Sequence, residues 1–300
     1  MSQFTIIVDS NCDLPTEYIE KHGIEVLPMP FELDGMPHDR GYWQEISDKD
    51  FYSALRKGGI AKTSQINPDT FIESFTGYTQ QGREALFLIL SSGLSNTFAS
   101  AQLALEEFRA ERPDCGIYIL DTISATVGHG LLAMMAVEKR AEGFSASETA
   151  DWLEGIKRSC IGLFTVNDLM YLHRGGRLSK LSAIAGSALG LKPMLCIGPD
   201  GTLSIKDKAR SKKAAIEMMV SQLRQCINPG TDMDTVMISH TDCPEDAELL
   251  ADTVRAYVNV REVISIMMGP VIGAHLGPGS LVLLFKADIT REEYDEKFQK

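Results

Sequence analysis

Short apolar runs rich in β-branched residues alternate with longer stretches whose apolar positions recur every three to four residues. In the first half the runs are residues 4–8 (FTIIV), 24–30, 85–90 (ALFLIL) and 117–120 (IYIL). Each reads as a buried strand followed by a polar turn. Between them, helical periodicity begins near Pro15 and at Pro68, with Asn67 as its N-cap, and covers residues 98–110, 126–142 and 146–160. Strand, polar turn and helix in repetition predict a parallel sheet with helices on its faces. Ligands of such sheets bind beyond the carboxyl ends of the strands, where the polar turns fall.

The pattern changes after about residue 160. Residues 161–166 are apolar, and a helix rich in small residues is expected over 181–191. The runs 193–197 and 202–205 flank Gly198-Pro199-Asp200-Gly201, a hairpin signal. Helices over 212–226 and 244–257 alternate with strands at 236–239, 263–268 and 281–285. The expected fold class is therefore α/β with two domains. Residues 1–160 form an N-terminal parallel sheet with flanking helices, and residues 161–300 form a C-terminal mixed α+β domain.

Composition narrows the function classes. With 29 basic and 41 acidic residues, the net charge is −12. Such a chain has no general attraction for nucleic acid or anionic membranes. The longest apolar runs fall short of the roughly 18 residues that suggest a membrane span, and MSQFTIIVDS lacks the basic start of a secretory signal. The cysteines Cys12, Cys115, Cys160, Cys196, Cys226 and Cys243 stand singly with no CxxC pair. They are expected to be mostly buried thiols in a reducing cytoplasm. No metal site or cofactor motif is indicated.

The richest segment for chemistry is residues 269–280, GPVIGAHLGPGS, which presents His275 from a turn or short helix dense in glycine. Two further segments supply neutral hydroxyls: Lys62-Thr63-Ser64-Gln65, and Ser91-Ser92-Gly93-Leu94-Ser95-Asn96-Thr97 between a strand and a helix. Singly, each has a plain structural reading as a turn, a helix cap or a hydrogen-bonded core histidine. Together, hydroxyls of these segments and the imidazole of His275 make a receptor for an oxyanion, reinforced by the N–H groups of a helix start. No arginine fork is evident in the set.

Gly93-Leu94-Ser95-Asn96-Thr97 approaches the G-x-S-x-G nucleophile elbow but ends in Thr, and no aspartate is marked as third member of a triad with Ser95 and His275. A serine acyl hydrolase is thus one alternative, and a small-metabolite-binding sensor is another, since α/β lobes trap ligands. Asp9 and Asp121 each end a strand. They suggest a Mg²⁺-dependent phosphatase-like site or, more plainly, loop caps.

Several segments jointly resemble the DegV family of bacterial fatty-acid-binding proteins. They are IIVDSNCDLP, KTSQINPDTF, SSGLSNTFASA, LMYLHRGGRLS and GPVIGAHLGPGS, in the family's order across nearly the whole chain. Ile66-Asn67 stands where the family usually has Pro-Ser, and Asn96 replaces a usual glycine, which puts a side chain next to the head-group position. The resemblance implies a long-chain fatty acid held between two α/β domains, its carboxylate bound by Thr63, Ser95 and His275. It also implies a non-catalytic carrier that presents the acid to a separate fatty-acid kinase, which forms an acyl phosphate for phospholipid synthesis. Further head-group or tunnel contacts are expected at Ser64, Ser92, Asn96, Phe164, Ala185, Ile272 and Gly273. Ala183, Gly186 and Ala188 are expected to leave room for the chain. Arg177, Lys180 and Arg210 are expected at the kinase contact.

Overall fold

The computed structural model describes residues 4–38, 46–179 and 190–298. In the first half, β1 (Thr5–Asp9), β2 (Ile24–Leu27), β6 (Ala85–Ile89) and β7 (Ile117–Asp121) form a sheet of order β2-β1-β6-β7. All of its pairings are parallel. β1 and β6 are buried along their whole length, as expected of strands covered on both faces. The covering helices are α1 (Thr16–His22), α3 (Pro68–Gln80), α4 (Thr97–Glu111), α5 (Val127–Ala141) and α6 (Ala146–Ile156).

The second sheet has six strands in the order β10-β9-β8-β13-β11-β12. They are β8 (Cys160–Thr165), β9 (Lys192–Ile197), β10 (Leu203–Ala209), β11 (Met233–His240), β12 (Val260–Met267) and β13 (Leu281–Lys286). Only β11 and β12 pair in parallel, so the sheet is mixed as expected. Its helices are α7 (Met170–Arg174), α8 (Lys212–Cys226), α9 (Pro244–Tyr257), α10 (Pro270–Leu276) and α11 (Arg291–Lys297). The Gly198–Gly201 turn closes the β9–β10 hairpin, with the Gly198 N–H donating to Thr202 O at 2.8 Å.

The two sheets share one core. α5 lies between them and packs against β1 and β6 on one side and β8, β11 and β13 on the other. Ten of its residues are therefore buried, including both glycines of its first turn. A Cβ on Gly128 would come within 2.6 Å of Leu284 Cδ1, so the helix start approaches the second sheet closely.

Three details depart from the sequence patterning. α6 ends at Ile156, not Cys160, because a short 3₁₀ turn (Lys157–Ser159) delivers the apolar run from Cys160 into β8. β2 stops at Leu27, just before the two prolines Pro28 and Pro30. A third, small antiparallel sheet was not foreseen. It comprises β3 (Phe31–Leu33), β4 (Met36–His38) and β5 (Ala61–Thr63), and packs with α2 (Asp48–Arg56) against α10. Its signal was present in Asp34-Gly35, whose φ values of 52° and 80° suit a tight hairpin turn. The segment expected to be a small-residue helix falls largely on residues 181–189, outside the described residues. Ala183, Ala185, Gly186 and Ala188 lie there too, as does Lys180.

Candidate functional site

The fold brings Thr63, Ser95 and His275 to one pocket between the two sheets. Thr63 arrives at the end of β5, Ser95 in the loop between β6 and α4, and His275 on α10. Thr63 Oγ1 lies 2.8 Å from His275 Nε2. Ser95 Oγ is 2.9 Å from Thr97 Oγ1 and accepts the Thr97 N–H at 3.2 Å. Behind these groups the wall is apolar: Met29, Leu90, Phe164, Val271 and Ile272 line it, among others. The empty space measures about 770 Å³ including its opening to solvent, yet only about 70 Å³ is wide enough for the centre of a water molecule. It is a narrow slot rather than a chamber.

His275 is buried, and among the described residues its Nδ1 has no hydrogen-bond partner. Burial, followed by the nearby charge of Arg177, lowers its pKa to about 4. The imidazole is therefore neutral near pH 7. Its ring packs directly on Gly175, where any Cβ would collide with Nδ1. One of the two glycines after His173-Arg174 is thus required by the ring of His275, a purpose that sequence spacing alone does not reveal.

Arg177 joins the site in the fold. It is half-buried and lines the same pocket, rather than standing apart as a surface cation. Its Nε donates to Leu94 O at 2.9 Å and its Nη1 to Gly175 O. The site therefore includes a guanidinium after all. An outer cleft shares Thr63, His275 and Arg177 with the slot and adds the exposed cations Lys62 and Arg174, the latter over the Tyr171 ring.

The other expected contacts divide between the pocket and the surface. Ser64 lines the mouth, and Phe164 and Ile272 line the slot. Ser92 is exposed, and its N–H donates to Asp121 at 3.2 Å. Asn96 is exposed at the N-cap of α4, so its side chain does not face the pocket. Gly273 packs beneath the hydroxyl of Tyr52 on the far side of α10. Arg210 is exposed at the end of β10 and lines neither the slot nor the outer cleft. In each case a turn or helix exposes only part of its residues to the slot, and the register is set by packing.

The alternative chemistries find little geometry. Among the described residues the hydrogen bond of His275 goes to Thr63, that of Ser95 goes to Thr97, and no carboxylate meets His275 Nδ1. These are not the linkages of a Ser-His-acid triad. Asp9 and Asp121 end strands separated by β6, roughly 10 Å apart at the usual strand spacing. Asp9 accepts the Leu90 N–H at 2.7 Å, and Asp121 accepts the Ile123 N–H at 2.8 Å. Both act as loop caps. Among the described residues no group of three or more His, Cys, Asp or Glu is arranged to hold a metal ion.

A slot lined mostly by apolar side chains, with a few protic and cationic groups among them, has a lining that suits an amphiphile. The family model described as an uncharacterised protein of the DegV family matches residues 3–288, and the chain belongs to that family. A DegV domain-containing protein of Clostridium perfringens is 37% identical, over 96% of this chain and 99% of its own. Among solved structures, a DegV family protein from Thermus thermophilus described by its fatty acid binding superposes with a TM-score of 0.85 at 28% identity. The match covers 95% of this chain and 99% of that one. DegV from Bacillus subtilis, described as a fatty acid binding protein, gives 0.82 at 27% identity, over 96% and 100% of the two chains. Among the described residues no helix is long and apolar enough to cross a membrane.

Proposed function

We propose that this protein binds a long-chain fatty acid, with the tail in the slot between the sheets and the carboxylate at Thr63, Ser95 and His275. The observation that carries this reading is the make-up of the pocket: a mostly apolar lining with the Thr63–His275 pair, Ser95 and Arg177 among its few polar groups. The fatty-acid binding described for the Thermus and Bacillus relatives supports it. A sixteen-carbon tail carries about 15 methylene or methyl groups, so its burial is worth on the order of 10 kcal/mol before ordering and association costs. Each charge-assisted hydrogen bond to the carboxylate adds about 1.5–3 kcal/mol. The tail supplies most of the affinity, and the hydroxyls, the imidazole and Arg177 fix the direction in which the acid lies.

On this reading the protein is a cytoplasmic carrier rather than an enzyme. The outer cleft supports a further step. It shares Thr63 and His275 with the slot and is flanked by Lys62 and Arg174. A carboxylate held at its floor is reachable from outside, and the cations suit a phosphoryl group delivered there by a separate kinase. The acyl phosphate so formed would serve phospholipid synthesis.

Native mass spectrometry of the purified protein, followed by organic extraction, tests the ligand assignment. A retained or added fatty acid at one per chain is expected, with weaker retention in Ser95→Ala and His275→Ala. A protein that takes up no fatty acid, or variants with unaltered affinity, would overturn it.

A further inference from the structure

The floor of the slot contains one conspicuous gap. β8 is buried from end to end, and all its neighbours in sequence except Gly162 carry side chains. Gly162 and Phe164 point to the same face, as do Val282 and Leu284 on β13. Gly162 pairs directly with Leu284, and Phe164 with Val282. On the other side, the β8–β9 register (Leu163 with Cys196, Phe164 with Leu195) extends to place Ile197 beside Gly162. Ile197 in turn pairs with Leu203 of β10. One row across four strands thus reads Leu203, Ile197, Gly162, Leu284, and all four line the pocket. Ile197 and Leu284 flank a position that has no side chain, and Leu203 lies one strand further out.

The position lies away from the head group. β13 begins at Leu281, just after the α10 turn that carries His275. Leu284 is three residues further along, or roughly 10 Å at the rise of a strand. A Cβ placed on Gly162 would meet only Leu284 Cδ1, at 3.3 Å, which is the flexible end of a side chain. Neither backbone conformation nor packing therefore demands glycine here. Glycine inside a strand otherwise marks a close approach by another group.

We propose that the gap at Gly162 receives the distal carbons of the bound acid and so sets the chain length this pocket prefers. The inference rests on the fatty-acid reading above. Filling the gap with Gly162→Val removes room for the last carbons of a long tail, and Leu284→Ala enlarges it.

The test is calorimetric titration of the delipidated full-length protein and its variants with saturated acids of twelve to eighteen carbons. Each methylene denied burial weakens binding about four-fold. Gly162→Val is expected to weaken the eighteen-carbon acid about 15-fold, the loss of two methylenes, while the twelve-carbon acid stays within about two-fold. Gly162→Ala should fall between, and Leu284→Ala should shift preference toward longer acids. If Gly162→Val fails to fold, the chain-length profiles of Gly162→Ala and Leu284→Ala still decide. Profiles parallel to that of the unaltered protein in the folded variants would overturn the inference and leave the fatty-acid reading standing. An unaltered protein that binds none of the acids would overturn both.

Discussion

The imidazole of His275 rests on the Cα of Gly175, a hundred residues earlier in the chain at the end of α7. The contact holds Nε2 toward Thr63 Oγ1 at 2.8 Å. Gly175 is not in a left-handed conformation (φ −72°), so alanine is acceptable to its backbone and excluded only by the ring. Gly175→Ala is expected to displace His275 and weaken fatty-acid binding about ten-fold, with little change in secondary structure. Calorimetry and circular dichroism check the two halves of that statement.

Burial of His275 makes its contribution to stability depend on pH. Its pKa falls from 6.5 to about 4 on folding, so between these values the unfolded chain binds the extra proton. The contribution is fully present above pH 6.5 and is lost as pH falls toward 4, by up to about 3 kcal/mol. Asp9 acts in the opposite direction: burial raises its pKa from 3.8 to about 7, which favours the folded state as pH falls through that range. The two slopes oppose each other in the unaltered protein, so a variant separates them. Relative to His275→Gln, the unaltered ligand-free protein should lose urea stability as pH drops from 6.5 to 4.5. A pH-independent difference would contradict this origin.

Arg177 and Arg210 separate a pocket cation from a surface one. Arg177→Met removes the half-buried guanidinium beside the head group and is expected to weaken acid binding five- to fifty-fold. It should also raise the pKa of His275, since Arg177 is one of the two causes of its depression. Arg210→Glu should leave acid binding unchanged. Titration of the His275 ring protons by NMR and ligand calorimetry provide the two readouts.

Asp13 ties the loop after β1 to the start of α10. One carboxylate oxygen accepts the Gly269 N–H at 2.9 Å, and the other accepts the Thr126 hydroxyl. Asp13 is buried, and its φ is 43°. Asp13→Ala leaves the Gly269 N–H and the Thr126 hydroxyl without this acceptor, at a cost of about 2–4 kcal/mol. Urea denaturation measures the loss. Because Gly269 leads into the helix bearing His275, acid affinity should fall as well.

Local elements with strong periodicity and recognisable ends are legible in the order of residues. α8 over Lys212–Cys226 and α9 over Pro244–Tyr257 were readable residue for residue. Ser211 caps the first through the Ala214 N–H, and Pro244 opens the second. The alternation of strand and helix sufficed for the parallel sheet, and five motifs sufficed for the family. They also marked Thr63, Ser95 and His275 as the groups with suitable chemistry. Which neighbours join them depends on how distant segments pack. Ser92 and Asn96 sit within three residues of Ser95 yet face solvent, while Arg177, placed in the sequence among surface cations, turns inward to Leu94. The gap at Gly162 exists only because Ile197 and Leu284 flank it from two other strands. The reason is geometric: periodicity records which face of an element is buried, whereas what that face meets depends on segments a hundred residues away.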